Sequence, residues 1–131
     1  TTRTFHVGSP TPEYAEAFAA LQAAQLAGTA AAGPGVAAEA VDRAARDVLE
    51  GAGWGEWFIH RLGHGIGLDG HEDPYLVAGN HEVLEPGMAF SIEPGIYMPG
   101  KWGMRIEDIV VCTPDGRESL NNAPRDLAIV E

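Results

Sequence analysis

The sequence predicts an α+β domain, two helices packed on a mainly antiparallel sheet. Three observations lead there. The first half is alanine-rich with apolar residues at helical spacing, the second half is dense in glycine and proline and breaks into short apolar runs, and the 131 residues suit a single core.

Thr1 to Val7 is rich in β-branched and aromatic residues and stops at Gly8-Ser9-Pro10, the pattern of a strand entering a turn. Its abrupt start, without an initiator Met, is what a cut edge would give. Thr11 is suited to cap a helix with Pro12 and Glu13 in its first turn. Tyr14, Phe18 and Leu21 then share a face, so the helix is expected to reach about Ala27 and yield across Gly28 to Gly35. A second helix is expected from Ala37 to about Glu50. Its apolar stripe is Val41, Ala44, Ala45, Val48 and Leu49; Glu39, Asp42, Arg43, Arg46 and Asp47 form its wet side, and Gly51 and Gly53 end it.

Beyond Trp54 the pattern changes. Phe58 to Leu62 and Gly65 to Leu68 read as short strands, followed by a Pro-containing connection through Tyr75, a turn at Leu84 to Gly87 and a strand from Met88 to Ile92. Gly103 to Cys112 alternates and then becomes continuously apolar, as in one strand whose far end is buried on both faces. Thr113 to Gly116 reads as a turn, and Leu120 to Val130 as a last edge strand.

Composition excludes several classes of function. With 19 acidic against 8 basic residues and a formal net charge of -11, the chain has no basic stripe to neutralise phosphates, so nucleic acid is not an expected partner. The carboxylate surplus suits a hard cation, or simply a well-solvated surface. The single cysteine, Cys112, lies in the apolar run Ile109 to Cys112 and reads as a buried thiol, which fits a reducing cytoplasm. No segment is apolar over a membrane-spanning length, and no membrane partner is expected.

The chemistry concentrates between Ile59 and Tyr75, IHRLGHGIGLDGHEDPY, which holds three of the five histidines. His60, His64 and His71 alternate with Gly63, Gly65, Gly67 and Gly70, residues that let backbone approach whatever the imidazoles hold. Gly65 to Gly70 matches GxGxxG by chance, because Pro74 opposes the helix that should follow. His71-Glu72 and His81-Glu82 begin like HExxH, yet Tyr75 and Glu85 stand where the second histidine belongs. Glu93 and Glu107 sit at or inside apolar runs, where an uncompensated carboxylate costs several kcal/mol. Arg105 shares a strand face with Glu107 at this period and would pair with it; alternatively, His64, Glu93 and Glu107 converge on a divalent cation such as Mn, Co, Fe or Zn. Such an ion acidifies water and polarises a carbonyl, which would make hydrolysis accessible.

HRLGHGIGLDGHEDPY, SIEPGIY and GMRIED, in this order, resemble the catalytic domain of the pita-bread metallopeptidases, specifically the Xaa-Pro dipeptidase and Xaa-Pro aminopeptidase branch. The resemblance extends through TTRTF, GSP and both helices. It implies a truncated pita-bread fold with a curved sheet, residues 1–131 being the C-terminal portion of a catalytic domain whose N-terminal strand and helix are missing. It also implies hydrolysis of Xaa-Pro bonds in peptides with proline in the second position. By the same resemblance His64, Glu93 and Glu107 are metal ligands, Glu107 bridging two ions. His71 contacts the scissile peptide, His60 belongs to the substrate pocket, and Arg105 steadies the bridging carboxylate.

His6 and His81 match nothing in that pattern and read as surface histidines. Two aspartate ligands of the family are absent, one of which would fall immediately before Thr1. The chain is therefore expected to hold at most one ion well, with Mn the first expectation, and to be impaired alone. Unpaired sheet edge and apolar surface imply a homo-oligomer or association with the missing half. The competing expectations are a non-catalytic binding module on the same fold and a metal-free, creatinase-like amidinohydrolase.

Overall fold

Thr11 caps the first helix as its sequence requires: its Oγ1 accepts the Tyr14 backbone N–H at 3.3 Å, and Pro12 opens the first turn. In the computed structural model, which describes residues 1–131, this helix, α1, spans Pro12–Ala31 and follows a short strand β1, Phe5–Val7. The buried residues Tyr14, Ala17, Phe18, Leu21, Ala24, Gln25 and Gly28 make one continuous face. α1 therefore runs past the expected end near Ala27. Gly28 does not stop it because it sits inside this face: a Cβ there would come within 3.1 Å of Leu62 and 3.3 Å of Ala45, so the glycine permits close approach instead.

The second helix, α2, spans Ala38–Gly51 and packs along α1 through Val41, Ala45 and Leu49. Asp42 does not lie on the wet side as expected. It is 1% exposed and accepts two hydrogen bonds from Arg46, both at 2.9 Å. An i,i+4 ion pair that looks solvated in sequence is turned inward here.

A single 3-10 turn at Gly55–Trp57 leads into β2, Gly63–Gly65, and β3, Glu72–Leu76. Then follow β4, Ala89–Ile92; β5, Gly95–Met98; β6, Trp102–Arg105; β7, Asp108–Thr113; β8, Gly116–Ser119; and β9, Ala128–Val130. Five strands form an antiparallel sheet in the order β3-β2-β4-β7-β8, β5 and β6 make a hairpin, and β1 pairs with β9 in parallel. The expected class, two helices on a mostly antiparallel sheet, is the observed one. Leu21, Leu49, Leu62, Phe90, Ile92 and Val110 are wholly buried between the layers; each contributes about 1.5–3 kcal/mol by leaving water.

Five local expectations need correction: Gly65 to Leu68 is strand only at Gly65, which ends β2, and Leu120 to Val130 only at its last three residues, β9. Phe58 to Leu62 is not a strand: α2 side chains hold the Phe58 and His60 carbonyls, and only Leu62 bonds a neighbouring strand, its N–H shared between Asp42 and the Leu76 carbonyl of β3. The segment before Tyr75 is not a mere connection but part of β3; Pro74 is tolerated because β3 is the sheet's edge. Gly103 to Cys112 is two strands, broken at Ile106-Glu107, where the chain leaves the hairpin and joins the larger sheet.

Candidate metal centre

The two glutamates come together because they occupy the same corner on neighbouring strands. Ile92 pairs with Asp108 in the five-stranded sheet and Gly95 pairs with Arg105 in the hairpin, so Glu93-Pro94 and Ile106-Glu107 face each other where the chain changes sheets. The Glu93 N–H donates to the Leu62 carbonyl at 2.8 Å, and Glu107 exchanges 3.1 Å backbone bonds with Thr2. The Thr2 hydroxyl also donates to Glu107 Oε2 at 2.5 Å.

His64 reaches that corner from β2. A Cβ on Gly63 would overlap the Ser91 carbonyl, and one on Gly65 the Asp73 carbonyl, so only glycine on each side lets β2 lie this close to its neighbours. One ligand atom from each of His64, Glu93 and Glu107 lies within 4.8 Å of the others, with all three side chains at least half-buried. His64 Nδ1 is 3.0 Å from the Gly65 carbonyl, which can only accept, so Nδ1 carries the proton. Nε2 is left with a lone pair directed at Glu93 Oε1, 3.0 Å away. Two acceptors facing each other at that distance need positive charge between them, a proton or a cation. An imidazole nitrogen with two carboxylates is a donor set that fits a divalent transition ion.

Around this corner is a cavity of about 410 Å³ lined by His60, Arg61, His64, His71, Val77, Glu93 and Arg105. The His71 ring lies 4.2 Å from that of His64. His60 is held at both nitrogens: Nδ1 donates to the Arg61 carbonyl at 2.7 Å, and Nε2 accepts the Tyr97 hydroxyl at 2.8 Å. Arg105 does not pair with Glu107 as expected. Its Nε is 3.8 Å from Glu93 Oε2 and makes no hydrogen bond, because the strand break at Ile106 takes residues 105 and 107 off a common face. The Tyr97 phenol, opposed by burial and assisted by Glu93 and Glu107, holds the Arg105 guanidinium above its ordinary pKa.

His6 packs edge-on against Tyr14, and exposed His81 pairs with Glu39 at 2.8 Å; neither approaches the cavity. Sequence reasoning missed Ser91 and Tyr97. Ser91 Oγ accepts the His64 N–H at 3.0 Å and donates to Glu93 Oε1 at 2.9 Å, joining two members of the cluster. Its position two residues before Glu93, on the same face of an extended chain, was the available signal.

A half-buried cluster of one histidine and two glutamates, set where two helices back an antiparallel sheet, defines a candidate divalent-metal centre. The chain belongs to metallopeptidase family M24, whose pattern matches residues 1–114. It is 60% identical over 129 residues to a probable dipeptidase PepE of Mycobacterium tuberculosis, covering 98% of this chain and 34% of that protein. It is 51% identical over 128 residues to an Xaa-Pro dipeptidase of Lactobacillus helveticus, covering 98% and 35%. Among solved structures, dipeptidase PepE from Mycobacterium ulcerans superposes with a TM-score of 0.96 at 59% identity, covering 98% of this chain and 34% of that one. A prolidase from Thermococcus sibiricus gives 0.95 at 44% identity, covering 98% and 35%. The fold is thus the pita-bread fold, and the chain spans about a third of the length of these relatives. No helix is long and apolar enough to cross a membrane.

Proposed function

We propose that the protein containing this chain is a metal-dependent peptidase that hydrolyses Xaa-Pro bonds, and that residues 1–131 are the C-terminal portion of its catalytic domain. The observation that carries this reading is the meeting of His64, Glu93 and Glu107 within 4.8 Å, from separate strands and corners of the sheet. The names of the relatives, dipeptidase and Xaa-Pro dipeptidase, support the substrate class.

In this reading His64 Nε2 and the carboxylates of Glu93 and Glu107 would hold a divalent ion, Mn first among Mn, Co, Fe and Zn, and other parts of the protein would supply the remaining ligands of a second ion to which Glu107 would also contribute. When bound, the ion supplies Lewis acidity toward water and the substrate carbonyl. Everything else belongs to the chain. His71, its ring tilted 48° to that of His64, offers a ring nitrogen to the scissile peptide. His60 is a fixed wall of the substrate pocket, since both its nitrogens are engaged. Arg105 balances the charge of Glu93, and Ser91 fixes which Glu93 oxygen faces His64.

Exposed Phe5, Val7 and Val130, which share one face of the β1·β9 pair, give the chain an apolar face for association with the rest of its protein or a second copy. The buried free thiol of Cys112 supports a cytoplasmic setting.

The test is an assay of the full-length protein with added Mn on alanyl-proline, alongside His64→Ala. Cleavage that falls at least 100-fold in the variant is the expected result; cleavage indifferent to His64 overturns the assignment.

A further inference from the structure

The backbone of the pocket wall that carries His60 bonds to the sheet only at Leu62, whose N–H donates to the Leu76 carbonyl of β3 at 3.0 Å. Residues 58–62 run between the 3-10 turn and β2, and their polar backbone groups are taken up largely by the Asp42–Arg46 pair of α2. Arg46 Nη1 donates to the Phe58 carbonyl at 3.1 Å, and Nη2 donates to the His60 carbonyl at 2.9 Å. Nε and Nη2 also bind the two oxygens of Asp42. Asp42 Oδ1 in turn accepts the Leu62 N–H at 2.9 Å, and the Leu62 carbonyl accepts the Glu93 N–H at 2.8 Å.

The contact continues through the rings. The Arg46 guanidinium lies 4.1 Å from the Phe58 ring centroid, and Phe58 meets the His60 ring edge-on at 5.1 Å. Asp42 is buried, and its carboxylate raises the Arg46 pKa through their hydrogen bonds. A buried pair of this kind adds little net stability over an apolar replacement, so its geometry is what it supplies. A planar five-donor group is needed to serve one carboxylate and two carbonyls at once; a lysine cannot do so.

We propose that Asp42 and Arg46 are positioning residues that set the His60 imidazole against Tyr97 and, through the Leu62 peptide, the approach of Glu93. This rests on the peptidase reading given above. Neither side chain lines the cavity, and both act on the site through the segment they clamp.

A double-mutant cycle in the full-length protein tests it, using alanyl-proline with saturating Mn and the variants Arg46→Lys, Arg46→Met, Asp42→Asn and His60→Ala. Arg46→Lys and Arg46→Met are expected to lower kcat/KM on the order of 100-fold, as a displacement of about 1 Å does, and Asp42→Asn less. In the His60→Ala background the same Arg46 changes should lose most of that effect. The imidazole proton and nitrogen resonances of His60 should shift in each clamp variant, signalling loss of the Tyr97 hydrogen bond. Full additivity of the Arg46 and His60 losses, or His60 resonances unmoved in a variant that has lost activity, overturns the proposal. Asp42→Asn, which keeps an acceptor for Leu62, provides the milder variant if Arg46→Met does not fold. Absence of His64-dependent cleavage would instead remove the peptidase reading, while the His60 resonances would still report on the clamp.

Discussion

Glu107 and Asp108 are one peptide apart and meet opposite surroundings. Asp108 is wholly buried, yet it is saturated: Arg3 donates to Oδ1 at 2.8 Å, Gln25 to Oδ2 at 3.1 Å, and Arg125 closes the set. Glu107 accepts the Thr2 hydroxyl but shares its corner with a second carboxylate and an imidazole whose facing nitrogen is bare; Arg3 binds its backbone carbonyl rather than its carboxylate, and Arg105 leans on Glu93 from 3.8 Å. One carboxylate is neutralised by guanidinium groups of the protein itself, while the other has a neutral hydroxyl donor and otherwise faces a second carboxylate and a bare imidazole nitrogen. The first pattern fastens a fold together, because buried charge is tolerated when paired and hydrogen-bonded. The second leaves two carboxylates short of positive charge, which is why the cluster reads as a cation site.

The largest way to break this comparison is to remove the outside charge. Exhaustive treatment of the full-length protein with a chelator should lower hydrolysis of alanyl-proline on the order of 1,000-fold, and added Mn should restore it. Glu107→Ala should show the same loss without recovery at any Mn concentration. If the variant recovers with Mn, the corner does not depend on Glu107.

The Asp108 side gives the next largest effect, on stability rather than chemistry. Asp108→Asn strands Arg3 and Arg125 against a neutral partner, so urea unfolding should show a loss of about 3–5 kcal/mol. Calorimetric Mn affinity of the folded variant should change less than about tenfold, far below the effect of removing a ligand. A variant as stable as the parent would mean the three donors find other partners, and the contrast with Glu107 would lose its structural half.

How much of this contrast was legible beforehand differs by element. The helices announced themselves through period and capping, with Thr11 and the Tyr14, Phe18, Leu21 face placed as expected. Asp42 and Arg46 misled because an i,i+4 pair has the same appearance whether it faces water or a neighbouring loop, and only the loop's unpaired carbonyls decide. The strands were less legible. Pro74 concealed an edge strand, and a run of apolar residues concealed the break at Ile106. His64, Glu93 and Glu107 stood out by type and by their apolar neighbours, but nothing in their spacing says that three residues so far apart meet. That depends on the paired corner and on Gly63 and Gly65 admitting β2.

The smallest effect sharpens the contrast most, because it reverses sign. Glu93→Gln removes one of two like charges from the corner; with its amide nitrogen in the place of Oε1 it can donate to the bare Nε2 of His64, and the Ser91 hydroxyl, which now faces that nitrogen, turns to the His64 carbonyl. Without metal, relief of like-charge repulsion should make the variant more stable than the parent, on the order of 1 kcal/mol by urea unfolding. With saturating Mn the order should invert, since the parent gains binding energy that the variant has lost. Asp108→Asn must show no such crossing: its stability falls with or without the ion. If Glu93→Gln is destabilised in metal-free buffer as Asp108→Asn is, then Glu93 is held by the protein's own cations, and the corner is a structural ion pair like the one beside it.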